Sequence, residues 1–128
     1  MSQERKTIFK YNGIEYEFDV SDAEDAEKIE NAYKLMEQES NEIPKDGKVS
    51  TQIKEQCKLI RNFLDRSLTQ GAGVNLCGEK YNLENHYSAY ETFLKFVSRQ
   101  KSQLISHSNN FRNHSNRNKN NKKFKAKK

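Results

Sequence analysis

Two periods of apolar and polar residues divide the chain. From Thr7 to Val20 the sequence TIFKYNGIEYEFDV alternates with period two around Asn12-Gly13, a pair that readily supplies the positive φ angles of a two-residue type I′ turn. Pairing across that turn sets Tyr11 against Ile14, Phe9 against Tyr16 and Thr7 against Phe18 on one face. The other face sets Lys10 against Glu15 and Lys6 against Asp19, so one register satisfies both faces. A lone hairpin is only marginally stable in water, and this aromatic face needs a cover.

The cover should be helical, because the period changes after Val20. Ser21 or Asp22 can cap a first helix, and Glu24 and Asp25 suit the positive end of its dipole. Its stripe runs Ala26, Ile29, Tyr33 and Met36, widened by Ala32 and Leu35, and should stop near Ile43, before Pro44 and the Asp46-Gly47 turn. A second helix, expected to be capped at Ser50, carries Ile53, Cys57, Ile60, Leu64 and Leu68, with Leu59 and Phe63 alongside. The segment QGAGVNLCGEKYN reads as the end of that helix and a connector, with Val74 and Leu76 turned inward and Cys77 partly exposed. A third helix, capped by Asn82, carries Leu83, Tyr87, Tyr90, Leu94 and Val97, with Phe93 and Phe96 beside them; beyond Val97 the stripe thins to Leu104 and Ile105. The expected fold is mainly α, an N-terminal β-hairpin packed on a three-helix bundle over residues 6–105. A flexible N-terminus (residues 1–5) precedes it, and a disordered Asn/Lys/Arg-rich tail (residues 106–128) follows.

Composition narrows what such a body can do. Hydrophobic residues make up 33% of the 128 residues, against ~45–50% in typical domains when Gly is also counted. The core must therefore be small. The net charge of +5 hides a split: residues 109–128 hold eight Lys or Arg and no acid, which leaves the remainder at −3. The basic residues of the tail are Arg112, Arg117, Lys119, Lys122, Lys123, Lys125, Lys127 and Lys128.

Little in the sequence suggests catalysis. Cys57 and Cys77 are too few and too irregularly spaced for a disulfide framework or a zinc site, and both read as free thiols in a reducing compartment. Cys57 falls within the buried stripe of the second helix, whereas His86 reads as a surface residue with no triad partners. The glycines of QGAGVNLCG fit neither a P-loop nor a dinucleotide fingerprint. The acids Glu24, Glu27, Glu30, Glu37 and Glu39 read as a solvated face of the first helix. No catalytic, cofactor-binding or metal-ligating set is expected. No apolar run reaches transmembrane length, and MSQERKTIF has no signal-peptide core, so a cytoplasmic protein is expected.

Two binding chemistries remain. The tail, with Phe111 and Phe124 among its cations, could contact phosphates and stack on bases, although the acidic body offers no recognition element. The alternative is a protein partner. Phe63, Tyr87, Tyr90, Phe93 and Phe96 make an aromatic surface wider than a single core stripe, which reads either as a partner-binding face or as additional core.

The order of parts adds a resemblance. The run YNGIEYEFDVSDAEDAEKIENAYKLMEQ, then STQIKEQCKLIRNFLDRSL, a Gly-containing loop, a third helix and a tail with NRNKNNKKFK resemble a family of small phage and prophage proteins of Gram-positive bacteria. The chain is also similar to the small tail assembly chaperones of long-tailed phages with flexible tails. It carries NFLDRSLTQGAGVNLCG where that pattern has Asp-Phe-Phe-Asp followed by Phe-Gly-Glu-Gly-Thr. The resemblance implies a non-enzymatic role in virion morphogenesis, with the tape-measure or tail-tube protein as partner. A minor structural or regulatory phage protein whose tail touches nucleic acid is the second implication.

Overall fold

The computed structural model describes residues 6–127, with side chains through residue 114. Strands β1 (Ile8–Tyr11) and β2 (Ile14–Glu17) form an antiparallel hairpin, followed by helices α1 (Ala23–Asn41), α2 (Val49–Ser67), α3 (Ala72–Cys77) and α4 (Leu83–Lys127). The fold is mainly helical with an N-terminal hairpin, as the two periods predict.

The hairpin has the predicted register. Phe9 pairs with Tyr16, Lys10 with Glu15 and Tyr11 with Ile14. Asn12 and Gly13 both take positive φ, at 52° and 79°, the backbone that a type I′ turn demands. Lys10 and Glu15 lie 3.3 Å apart on the outer face. On the inner face Phe9 and Phe18 are fully buried.

The aromatic core explains the assembly. Phe93 on α4 is the hub: Phe9 packs edge-on at 5.2 Å, Phe18 at 5.5 Å, Phe63 of α2 at 6.3 Å and Phe96 lies 6.4 Å away. Phe63 also meets Tyr33 of α1 at 5.0 Å and Tyr90 of α4 at 5.3 Å. Offset and edge-to-face pairs of this kind add roughly 0.5–1.5 kcal/mol each to what area burial provides. Helix α4 is thus covered on one side by the hairpin and on another by α2.

Three features depart from the sequence reading. The connector contains a helical turn and a half, α3, bounded by Gly71 and Gly78, both with left-handed φ (91° and 93°). The body therefore has four helices, not three. Gly73 brings α3 hard against α2: a Cβ there would sit 2.5 Å from the Arg61 carbonyl oxygen and 2.6 Å from its Cα. Helix α2 begins at Val49 with Lys48 at the cap position and no side-chain cap bond, so Ser50 is not its cap. Instead the Gln52 amide donates to the Pro44 and Asp46 carbonyls and shapes the α1–α2 turn. Helix α4 continues to Lys127, past the expected end of the body at residue 105. No Gly or Pro occurs after Gly78 to stop it.

Other caps agree. Asp22 accepts from the Glu24 amide at 3.0 Å and opens α1, and Asn82 accepts from the Asn85 amide at 2.9 Å and opens α4.

Candidate functional site

The five aromatic residues singled out by sequence do not form a surface together. Phe63 and Phe93 are fully buried, and Tyr90 and Phe96 are half-buried against the core. Tyr87 alone is exposed, with its hydroxyl donating to Gln56 at 2.8 Å. The physical reason is the position of α4: packed between hairpin and α2, it consumes on two sides the aromatic width that a single-sided helix would leave over. Phe63, Tyr90, Phe93 and Phe96 thus belong to the core or pack against it, and Tyr87 lies outside it.

Two other sequence expectations are corrected in the same region. His86 is buried, not a surface residue, and Cys77 is 4% exposed. Both lie around Arg61 of α2. The Arg61 Nε donates to His86 Nε2 at 3.0 Å, and its Nη2 donates to the carbonyls of Gly78, Glu79 and Lys80 at 3.0, 3.0 and 3.3 Å. The guanidinium also lies 4.4 Å from the Tyr81 ring centre, a cation–π contact. Since His86 Nε2 accepts, its Nδ1 carries the proton and donates to the Asn82 carbonyl at 2.6 Å. Burial holds the His86 pKa below its ordinary value, against the Asn82 hydrogen bond and with help from the Arg61 charge. The imidazole is therefore a neutral strut that joins α2 to the start of α4. Burial also pushes the Cys77 thiol up to about 12 and raises that of Cys57, so neither is an activated nucleophile.

The buried polar residue that ties the fold together is Gln100, missed by the sequence reading. Its Oε1 accepts from the Val20 amide at 3.0 Å, and its Nε2 donates to the carbonyls of Lys6 and Phe18, each at 2.7 Å. One side chain thus closes both ends of the hairpin onto α4. At the far side of the body, Arg66 pairs with Glu39 at 2.7 Å, and that hydrogen bond holds the Glu39 carboxyl below the usual range. Glu39 is thus partly buried and paired, while Glu24, Glu27, Glu30 and Glu37 are exposed as expected.

Among the described residues, two regions of surface bear on binding. At the α1–α2 end, two shallow hollows of about 260 Å³ each share Ile43 and Leu59 as walls. The first is rimmed by Glu39, Glu42, Glu55 and Lys58, the second by Pro44, Lys45, Gln52 and Gln56. The second region is α4 beyond the body. Its core stripe runs through Val97 and Gln100, both buried, and continues to Leu104, 39% exposed, and Phe111, 74% exposed, with Ile105 on the flank at 59%. Val97, Leu104 and Phe111 are spaced by seven residues, so they stay on one side of the helix. Arg112 of the basic tail is exposed beside them. Arg117, Lys119, Lys122, Lys123, Lys125, Lys127 and Lys128 lie outside the residues whose side chains are described.

Comparison with known proteins gives a family. The sequence matches the family of unknown function DUF6673 over residues 12–126. The chain belongs to that family. The matched range includes nearly all of the basic arm, so in DUF6673 the arm is part of the family unit. No curated protein and no solved structure matches the chain. Among the described residues no helix is long and apolar enough to cross a membrane, and no cluster of three metal-ligating side chains occurs.

Proposed function

We propose that this DUF6673 chain is a non-enzymatic tail assembly chaperone of a phage or prophage, acting in the cytoplasm of the bacterial host. It binds the tape-measure protein, keeps that long amphipathic chain soluble, and helps tail-tube subunits assemble around it. The observation that carries the reading is the continuation of the α4 apolar stripe, through Leu104, Ile105 and Phe111, past the last residues the body buries. A long helix with an apolar edge is the form in which a protein captures another amphipathic helix. The hollows around Ile43 and Leu59 add a second apolar patch rimmed by charge. The resemblance in the hairpin and first two helices supports the choice of tape measure as partner.

The test is co-expression. A tape-measure protein expressed alone should be insoluble and should move to the soluble fraction when this chain is present. An unchanged fraction in its presence contradicts the proposal. The second reading rests on one observation, the acid-free run of eight cations after residue 108. On that reading the arm holds nucleic acid, and binding to mixed-sequence duplex DNA at ~50 mM salt should collapse by ~200 mM.

A further inference from the structure

The exposed length of α4 carries more information than its apolar edge. From Lys101 to Lys128 the chain has nine Lys or Arg and no Asp or Glu. On the helix, Lys101, Ile105 and Arg112 fall within about 40° of one another, along one edge of the Leu104–Phe111 stripe at about 60–100° from Leu104. The surface therefore presents an apolar ridge with a cationic margin. Among the residues whose side chains are described, Gln100 is the last buried one of α4, and the helix runs on to Lys127. At 1.5 Å per residue that extension is about 40 Å long.

Charge decides which occupant suits this ridge. A second copy meeting the same segment would bring Lys101 and Arg112 against their own kind with no anion in either stretch of 101–128. Like charges along a helical interface oppose pairing. Nucleic acid would satisfy the cations but leave Leu104, Ile105 and Phe111 uncovered. A helix with an apolar stripe and Glu or Asp on its flanks answers both features at once, as e and g charges do beside an a/d seam.

Resting on the chaperone reading, we propose that the α4 extension selects acidic amphipathic helices: its substrate is the acid-flanked helical stretches of the tape measure, docked on Leu104 and Phe111 with Lys101 and Arg112 at the margin. The apolar ridge supplies holding strength, and the cations supply selection and speed of encounter.

The test uses the full chain and three synthetic helical peptides of equal length. All have Leu at every a and d position; the e and g positions are all Glu, all Gln or all Lys. Wild type should bind the Glu peptide, bind the Gln peptide at least ~10-fold more weakly and ignore the Lys peptide. The double variant Leu104→Ser/Phe111→Ser should lose at least ~10-fold in affinity for the Glu peptide, as expected when central apolar anchors are removed. Its melting temperature should be unchanged, since both side chains lie outside the buried core. Equal binding of the Glu and Gln peptides overturns the charge selection. Full Glu-peptide binding by the double variant overturns the ridge, as does tighter binding of mixed-sequence duplex DNA than of the Glu peptide. If the Glu peptide fails while the co-expressed tape-measure protein is still kept soluble, this inference falls and the chaperone reading stands; if both fail, the reading itself falls.

Discussion

Replacing Gln100 with Ala should be among the most damaging polar substitutions in the protein. Gln100 is 6% exposed, and its amide makes three hydrogen bonds to the backbone of the hairpin region. Alanine removes all three and leaves the Val20 N–H and the Phe18 carbonyl buried without partners. The Lys6 carbonyl, on an exposed residue, can turn to water. Leaving a buried backbone group unsatisfied costs roughly 1–3 kcal/mol, so two of them put the loss at about 2–6 kcal/mol. In a domain stable by ~5–15 kcal/mol this is a large fraction. Urea unfolding followed by far-UV circular dichroism measures it, with the slope checked for unchanged two-state behaviour. Gln100→Glu sharpens the test. The carboxylate can still accept from Val20, but it loses both donors and faces the Lys6 and Phe18 carbonyls, so it should be less stable than Gln100→Ala at neutral pH. A Gln100→Ala loss below ~0.5 kcal/mol, the range of ordinary surface substitutions, would refute the reasoning.

Gly73→Ala should cost ~1–3 kcal/mol or more by chemical denaturation, because the added methyl meets the Arg61 backbone rather than a movable side chain. His86 gives a pH dependence whose sign is fixed: its folded pKa is lowered from 6.5, so the unfolded chain binds the proton first and stability falls as pH drops below about 6.5. The His86→Gln variant should lose that slope in a melting series from pH 7 to pH 5.5, whereas the stabilisation from the Glu39–Arg66 pair is present above the ordinary carboxylate value of 4.5 and is lost as pH falls below it. Cys57 and Cys77, both buried and with raised pKa values, should react with a thiol reagent at the rate of unfolding; fast reaction of either thiol in the native protein would contradict their placement.

What could be read from the sequence was whatever local pattern determines. The hairpin register followed from Asn12-Gly13 and a two-residue alternation, and the buried stripe of α2 followed from helical spacing; in α1 and α4 spacing succeeded only in part, since Tyr33, Leu35 and Tyr87 are exposed and Phe93, expected beside the stripe, is at the centre of the core. What could not be read depends on contacts between distant segments. The burial of His86 requires Arg61, 25 residues away, to hold the turn after α3. The α3 turn is six residues long, too short for any periodic signal. The aromatic residues of α4 were ambiguous because their spacing is the same whether one neighbour or two cover the helix. The position of Gln100, three residues after Val97 on the stripe, was the one available hint that a polar side chain there faces inward. For the candidate surface, Leu104 and Ile105 were visible only as a thinning stripe. Their meaning emerged once α4 was seen to continue beyond the body.

The most direct test of the central claim sets the two partner classes side by side: equilibrium binding of the full chain to a purified helical segment of a tape-measure protein and to mixed-sequence duplex DNA, both at ~200 mM salt, where phosphate contacts are largely lost. The account predicts saturable binding of the tape-measure segment and none of the DNA. Binding of DNA with no binding of the tape-measure segment would contradict it and make the basic arm the working site.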